Sequence, residues 1–299
     1  MTVGQSDRKI GWIGAGKMGG PMIRNLLANS DPVCVCDPDA CAVSAAVAKG
    51  ATAAATLADM AAMDIIFSTV PNDSALIAIV SGTADHAGLA DILAPGAIFV
   101  DMSTVSPIAS VTVAEALAKK DILYLRAPLS GSTVMAENAT LTILASGDEA
   151  AWKTVLPYLE VMSSRRFYLG TGDEARYMKL VINTLVGGTS ALLAEALSLG
   201  VSGGLTRSSM MEVIGESAVA SPLLKYKTAA VVSDDFSPAF SVMQMIKDFT
   251  LISDAARSNS VPLLTSGLIL ELYRAAANAG LQDADFFALV KWHSDMSSQ

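Results

Sequence analysis

Cysteine and histidine are scarce in this chain of 299 residues, which contains three cysteines and two histidines. Cys34, Cys36 and Cys41 stand close together, whereas His86 and His293 lie far along the chain. A metal site would need further ligands near the cysteines, so we predict no metal. We expect the three cysteines to be reduced core thiols of a cytoplasmic protein.

Basic clusters and long uninterrupted apolar runs are also lacking. The chain has 20 Lys and Arg residues against 29 Asp and Glu residues and a formal net charge of −9, so nucleic acid is not an expected partner. The run that comes nearest to a membrane span, residues 180–194, contains Asn183, Thr184 and two glycines, and we interpret it as a buried helix. Residues 1–9 are polar and predict no export signal.

The chain does contain a glycine-rich turn between an apolar run at residues 9–13 and a helical pattern that ends at Ala28. In this arrangement the first glycine makes a tight turn, the second admits a pyrophosphate, and the third lets helix and strand pack closely. The unpaired N–H groups at the start of the helix attract the phosphates. The pattern predicts a dinucleotide site formed by Gly14, Ala15, Gly16, Lys17, Met18 and Gly19.

An acidic residue, Asp37, ends the next apolar run, eighteen residues beyond Gly19. A carboxylate at the end of the second strand accepts hydrogen bonds from ribose hydroxyls and repels a 2′-phosphate. Pro38 and Asp39 follow, and no arginine stands nearby. We therefore expect NAD to be preferred over NADP.

Strand-like patterns at residues 9–13, 33–36, 64–70, 97–101, 122–125, 141–144 and 167–169 alternate with helical patterns, and Ser106-Pro107 predicts the start of a helix that runs to Lys120. This alternation up to residue 170 implies a largely parallel sheet covered on both faces. Beyond residue 170 we find only helical patterns, over residues 174–201, 208–215, 238–258, 265–279 and 283–293. We therefore predict an α/β nucleotide-binding domain over residues 1–170 and an all-helical domain for substrate binding and oligomerisation over residues 171–299. A long helix over 174–201 would join them. It is apolar all round, which predicts burial on every side, in part by a second subunit of a homodimer or homotetramer.

Four further segments follow predicted strands or lead into the long helix, where ligands of open α/β sheets bind. These segments are Val70-Pro71-Asn72-Asp73, Asp101-Met102-Ser103-Thr104, Ala127-Pro128-Leu129-Ser130-Gly131-Ser132, and Gly170-Thr171-Gly172 ahead of Lys179.

Together these motifs resemble those of the β-hydroxyacid dehydrogenase family, which includes 3-hydroxyisobutyrate dehydrogenase and tartronate semialdehyde reductase. The family's motifs are present in order as Gly14, Gly16, Met18, Gly19, Met22, Asn25 and Leu26; Asp101, Ser103, Thr104 and Pro107; residues 127–132; Gly170, Gly172, Lys179 and Asn183; and Lys247 with Asp248. The chain departs from the family at Ser132 and Ala139, which replace glycines, and at Ile182, which replaces an asparagine. These departures concern the substrate more than the reaction.

The resemblance implies a Rossmann-type N-terminal domain, an all-α C-terminal domain and a long interdomain helix. It implies an NAD(P)-dependent oxidoreductase that interconverts a small β-hydroxy acid, similar to 3-hydroxyisobutyrate, and its semialdehyde or keto form by hydride transfer. The expected partner is a small anionic substrate. Binding of that substrate is expected from Ser130, the Gly131 and Ser132 N–H groups, Thr104 and Asn183. Cofactor contacts are expected from Val70, Pro71, Asn72, Thr104, Phe240 and Lys247.

The chemistry is expected to depend on Lys179, which shares a helix face with Asn183 one turn later. An apolar helix desolvates a lysine, and desolvation lowers its pKa toward the range of a general acid or base. Neutral Lys179 would accept the hydroxyl proton during oxidation, and its protonated form would donate to the carbonyl oxygen during reduction. The alternative interpretation is a lysine that reaches solvent at the start of the helix.

A helix predicted to begin at Ser237-Pro238 would place Phe240, Gln244 and Lys247 on one stripe. The resemblance places Phe240 near the nicotinamide and Lys247 near the cofactor or substrate. A core phenylalanine beside a solvated lysine is the alternative.

Other functions remain open from the sequence. An imine reductase has a similar fold but usually replaces the catalytic lysine, and a non-catalytic dinucleotide-binding protein would not need Lys179, Asn183 and Lys247. A 6-phosphogluconate-type decarboxylating enzyme has a much longer helical domain.

Overall fold

The computed structural model describes residues 8–297 and divides into two compact units between Lys179 and Leu180. The division falls inside one long helix, whereas the sequence predicts a boundary at residue 170. Residues 1–7 of the polar segment from which we predict no export signal lie outside the described residues.

The first unit contains one sheet, with strand order β3-β2-β1-β4-β5-β6-β8-β7 and β9 beside β8. Strands β1 to β6 are parallel, and β8 is antiparallel to β6 and β7. The strands are β1 (Ile10–Ile13), β2 (Val33–Cys36), β3 (Thr52–Ala53), β4 (Ile65–Ser68), β5 (Ile98–Asp101), β6 (Leu123–Arg126), β7 (Leu129–Ser130), β8 (Leu141–Gly147) and β9 (Ser163–Tyr168). The predicted parallel sheet is confirmed. Only β3 and β7 escape prediction, because two residues are too few to form a pattern.

Helices cover both faces of this sheet. They are α1 (Gly19–Ala28), α2 (Ala40–Val47), α3 (Asp73–Ser81), α4 (Leu89–Ile92), α5 (Pro107–Ala118), α6 (Thr133–Glu137) and α7 (Glu149–Met162), with a 3-10 helix at Leu57–Met60. Successive side chains along a strand pack into different hydrophobic clusters: Phe67 lies in one cluster and its neighbour Ile66 in the other. The predicted start of α5 is confirmed, since the Ser106 hydroxyl accepts a hydrogen bond from the Ala109 N–H and Pro107 is the first helical residue.

The second unit is helical, as the sequence predicts. Its helices are α8 (Glu174–Ser202), which begins in the first unit, α9 (Arg207–Glu216), α10 (Pro222–Ser233), α11 (Val242–Ser258), α12 (Leu264–Ala276) and α13 (Leu289–Ser297), with a 3-10 turn at Phe286–Ala288 and a wide turn at Ala277–Leu281. Within its described residues the only strand-like pairing is an isolated bridge between Ser241 and Asp285. Helix α10 is missing from the sequence prediction, although it begins with the same Ser-Pro signal as α5.

The predicted start of α11 at Ser237-Pro238 is wrong. The hydroxyl and N–H of Ser237 both donate to the Asp235 carboxylate, so this serine closes a turn and does not cap a helix. The helix begins after Ser241, whose hydroxyl accepts from the Gln244 N–H while the Gln244 side chain accepts from the Ser241 N–H. Phe240 therefore precedes the helix, and the predicted stripe of Phe240, Gln244 and Lys247 does not exist.

Helix α8 is not buried on every side within the single chain. Leu185, Leu192 and Leu199 are 68%, 65% and 74% exposed, whereas Leu193 and Leu197 are buried in the core of the second unit. By length and composition α8 could cross a membrane. Because part of its apolar surface packs inside the second unit, we interpret it as a core helix.

Candidate active site

The glycine turn after β1 has the geometry that close backbone approach demands. Gly14 has φ +92°, and a side chain there would collide with the carbonyl oxygen of Thr69. A side chain at Gly19 would collide with the Gly14 carbonyl oxygen. At Gly16, by contrast, an added Cβ meets no atom within 4 Å. The turn is therefore tightly packed on its inner side and open at its middle glycine, which fits a backbone cradle for a pyrophosphate.

Two side chains that the sequence did not single out hold this turn. The Thr69 hydroxyl donates to the Gly14 carbonyl at 2.6 Å, and the Trp12 indole N–H donates to the same oxygen at 3.0 Å. Trp12 belongs to β1 and Thr69 follows β4, its neighbour in the sheet. The strand order reverses at this pair of strands, and open α/β sheets bind their ligands at such a point.

Asp37 follows β2 and is held by backbone groups. One carboxylate oxygen accepts from the Ala15 N–H at 2.6 Å, and the other accepts from the Asp39 N–H at 2.7 Å. Asp39 in turn caps α2 by accepting from the Cys41 N–H. The acid is thus fixed beside the glycine turn. Burial, with a further contribution from the Asp37 charge, raises the pKa of the Cys36 thiol.

The loops after β4 and β5 are tied together. The Val70 N–H donates to the Ser103 hydroxyl at 2.8 Å, and the Ser106 N–H donates to the Asp73 carboxylate at 2.8 Å. The Asn72 side chain caps α3. The predicted cofactor residues Val70, Pro71 and Asn72 therefore lie on a loop next to the half-buried Thr104.

A buried charged network lies beneath these loops. Asp101 accepts hydrogen bonds from the Ser68 and Ser103 hydroxyls at 2.7 Å and 2.6 Å. Its second oxygen accepts from the Arg176 guanidinium at 2.5 Å. Arg176 also donates to the Ser103 carbonyl at 2.7 Å and to the Tyr124 hydroxyl at 2.9 Å.

Burial and charge oppose each other in this network. Arg176 is 1% exposed, and its burial alone would lower its pKa, but its interactions with Tyr124 and Asp101 outweigh burial and raise the pKa. Burial raises the pKa of Tyr124. Arg176 is missing from the sequence predictions. The available signal was an arginine in an apolar helix, three residues before Lys179.

The substrate-loop residues lie between β7 and β8. Ser130 ends β7, Gly131 is exposed with φ +144°, and the Ser132 hydroxyl caps α6 by accepting from the Met135 N–H. Asn25 of α1 donates its side-chain amide to the Ala136 carbonyl at 2.9 Å, which docks α6 on α1. The segment between Ser132 and Ala139, which replace two glycines of the family, thus forms the short helix α6.

Lys179 is half-buried on α8 at the end of the first unit. In the second unit, the buried Asn183 donates to the Asp248 carboxylate at 2.5 Å, and the Lys247 ammonium lies 3.0 Å from the other Asp248 oxygen. Asn183 is thus oriented by Asp248, which stands out in the sequence only as part of the Lys247-Asp248 motif.

Phe240 lies apart from the predicted helical stripe, with its ring packed edge-on against Phe286 at 6.0 Å between centroids. Over residues 8–297, no group of three or more His, Cys, Asp and Glu side chains could hold a metal ion.

Comparison with known proteins identifies the family. Residues 9–170 match the family described as the NAD binding domain of 6-phosphogluconate dehydrogenase, and residues 173–293 match the NAD-binding region of NADP-dependent 3-hydroxyisobutyrate dehydrogenase. A 2-(hydroxymethyl)glutarate dehydrogenase from Eubacterium barkeri is 35% identical over 97% of this chain and 96% of that protein. The chain belongs to the 3-hydroxyisobutyrate dehydrogenase family. It is an NAD(P)-dependent dehydrogenase that acts on CH–OH groups.

Other members extend the match. A chloroplastic glyoxylate/succinic semialdehyde reductase from Arabidopsis thaliana is 29% identical over 94% of this chain and 78% of that protein. The crystal structure of 3-hydroxyisobutyrate dehydrogenase from Salmonella typhimurium has a TM-score of 0.85 at 28% identity, covering 96% of this chain and all of that one. A solved imine reductase from Myxococcus stipitatus shares the fold at 18% identity and a TM-score of 0.65. The two-domain fold class is confirmed.

As a 3-hydroxyisobutyrate dehydrogenase relative, the chain accommodates its departures locally. Ser132 replaces a glycine and provides the cap of α6. Ala139 replaces another glycine yet keeps a left-handed backbone, with φ +55°, just after α6. A left-handed alanine is strained, because its Cβ crowds the backbone.

Proposed function

We propose that the protein interconverts a small β-hydroxy acid and its semialdehyde by hydride transfer, with Lys179 as general acid and base. The observation that carries this proposal is the placement of Lys179, half-buried on a helix whose start is bonded to the loop that carries Thr104. NAD(P), when bound, supplies the hydride acceptor or donor. The glycine turn and the amides at the start of α1 would hold its pyrophosphate, because Gly16 leaves that side open.

The chain's own residues then divide the work. In oxidation, neutral Lys179 takes the proton of the substrate hydroxyl; in reduction, its ammonium returns that proton to the carbonyl oxygen. Ser130, Thr104 and the N–H groups of Gly131 and Ser132 donate to the substrate's anionic group. Asn183, Phe240 and Lys247 are assigned to substrate or cofactor within the helical domain. Residues 1–170 are thus proposed as the NAD(P)-binding domain, which also supplies substrate contacts, and residues 171–299 as the helical domain for substrate binding and oligomerisation.

The substrate is proposed to be a hydroxymethyl carboxylate, by analogy with the Eubacterium barkeri relative named for 2-(hydroxymethyl)glutarate. We would measure NAD reduction with 3-hydroxyisobutyrate, 2-(hydroxymethyl)glutarate, serine, glycerate, threonate and sulfonated analogues. Turnover of cyclic imines without turnover of any hydroxy acid would instead identify an imine reductase. Absence of hydride transfer throughout the panel would favour a non-catalytic dinucleotide-binding protein.

The role of Lys179 is tested with Lys179→Ala. Positioned acid–base groups contribute about 10²- to 10⁴-fold, so kcat should fall by at least about 100-fold while NADH still binds. Lys153→Ala is the control, because Lys153 is an exposed lysine of the first unit that pairs with Glu149 on the surface of α7. Turnover unchanged in Lys179→Ala would contradict the mechanism.

NAD is the proposed cofactor because a carboxylate fixed beside the glycine turn repels a 2′-phosphate. Asp37→Asn removes the charge and keeps one of the two acceptor oxygens. The ratio of kcat/KM for NADP to that for NAD should rise by about tenfold, which corresponds to about 1.4 kcal/mol. A wild-type protein that prefers NADP would overturn the assignment.

We also propose a homodimer or homotetramer in the cytoplasm. Leu185, Leu192 and Leu199 form an exposed apolar stripe along α8, spaced seven residues apart. Leu192→Glu should shift the mass measured by light scattering toward the monomer. Val213→Glu, at a similarly exposed valine of α9, is the matched control. A wild-type monomer would contradict the proposal.

A further inference from the structure

The start of α8 is held by two ion pairs that reach the ends of neighbouring strands. Arg176 pairs with Asp101, the last residue of β5, and Asp173 pairs with Arg126, the last residue of β6, at 2.8 Å. The Ser110 hydroxyl of α5 donates to the same Asp173 oxygen. Asp173 and Arg176 are thus each paired with an oppositely charged residue at the end of a strand.

These pairs are more than is needed to start a helix. Asp173 already accepts the Arg176 and Tyr177 N–H groups through its carbonyl oxygen. The side-chain bonds instead hold the first turn of the helix against the ends of β5 and β6. Arg176 reaches past Asp101 to the carbonyl oxygen of Ser103, the residue before Thr104. Ser103 in turn holds the N–H of Val70 through its hydroxyl.

We propose that Arg176 is a positioning residue that sets Lys179 against the two loops carrying Val70 and Thr104. Lys179 follows it by three residues, a rise of about 4.5 Å along the helix. A guanidinium forms several bonds in a fixed plane, so it fixes both the rotation and the translation of that turn. This inference rests on the proposed acid–base role of Lys179.

The direct test is Arg176→Met in the full chain, since methionine keeps much of the side-chain length without the charge. A displacement of about 1 Å at a reacting group costs about 100-fold in rate, so kcat should fall about 100-fold. The dissociation constant for NADH should change by much less than kcat does, because the glycine turn proposed to hold the pyrophosphate is bonded by Trp12 and Thr69. The kcat of Arg176→Lys should lie about tenfold below that of wild type, which is a smaller loss than in Arg176→Met. Lysine keeps the positive charge but cannot form the planar set of bonds.

Arg176→Met leaves Asp101 as a buried unpaired charge and could fail to fold. The double variant Arg176→Met/Asp101→Asn removes both charges, and we expect it to recover the thermal midpoint without recovering kcat. This separation is the decisive readout, because a residue needed only for stability would recover both. If neither Met variant folds, the loss of about tenfold in Arg176→Lys decides the matter.

Arg207→Met is the control variant. It also removes an arginine–carboxylate pair, with Asp234 at 2.5 Å, but from helix α9 of the second unit, and kcat should not change. The proposal is overturned if a folded Met variant keeps kcat within threefold of wild type. If neither Met variant folds, the same result for Arg176→Lys overturns it. A wild-type rate in Lys179→Ala would instead overturn the proposed function, independently of what the Arg176 variants show.

Discussion

The two units each bury a carboxylate beside a cation, and the two sites differ in how completely they are satisfied. Asp101 of the first unit accepts from two serines and from Arg176, which is 1% exposed. Asp248 of the second unit accepts a hydrogen bond from Asn183 on one oxygen. Its other oxygen has no well-aligned hydrogen bond, although the Lys247 ammonium, on a side chain 33% exposed, is 3.0 Å away.

The difference separates two uses of buried charge. A fully bonded pair such as Asp101–Arg176 holds backbone segments in place and is costly to break, because each partner would be left charged and dry. A pair with one partner near water can exchange bonds at lower cost. The first site therefore holds chain segments in place through a complete set of bonds, whereas the second leaves one carboxylate oxygen without a hydrogen bond.

The largest effect is expected at Asp101. Asp101→Asn leaves the Arg176 guanidinium without its counter-charge, and breaking such a buried pair costs about 3–5 kcal/mol of unfolding free energy. Urea unfolding followed by circular dichroism measures the loss. A loss below about 1 kcal/mol would show that the first site is no more demanding than an exposed ion pair.

Lys227→Met tests whether the loss of unfolding free energy depends on the burial of the ion pair or on the unit that contains it. Lys227 pairs with Asp285 at 2.7 Å in the second unit, and the two side chains are 7% and 3% exposed. We expect a loss of about 3 kcal/mol, near that of Asp101→Asn, because Asp285 would remain charged and buried. Wild-type stability would mean that the helical unit tolerates buried charge better than the sheet unit.

Asp248→Asn should cost much less stability, about 1 kcal/mol, because the new amide oxygen can still accept from Asn183 and Lys247 can turn to water. The same variant should lower kcat/KM, since Asn183 and Lys247 lose their charged anchor. Parallel urea and kinetic measurements check both effects. A stability loss as large as that of Asp101→Asn would remove the contrast between the two sites.

The smallest effect has the opposite sign. Ala139→Gly relieves a left-handed alanine at φ +55° in the first unit, and we expect a gain of about 0.5–1 kcal/mol in unfolding free energy. Ala136→Gly is the control, because Ala136 lies inside α6 and should lose stability. A loss in Ala139→Gly would mean that flexibility gained by the unfolded chain outweighs the strain.

Much of the fold follows from local patterns. The strand, glycine turn and helix around Gly14, and the Ser-Pro start of α5, depend on neighbouring residues and were predictable. The start of α11 was not predictable in this way. Ser237-Pro238 is typical of a helix start, but the Ser237 hydroxyl donates to the Asp235 carboxylate and closes a turn. The sequence offers two competing local hydrogen bonds there, and only their geometry decides between them.

The sequence by itself determined the family and the glycine turn after β1, and it led to the proposal for Lys179, because these depend on residue types at fixed spacings. Tertiary structure decided which groups support them. Arg176 and Asp101 are 75 residues apart along the chain, and no local pattern indicates their pairing. A buried charge selects whichever opposite charge the folded sheet brings within reach, and that choice exists only after the strands have assembled.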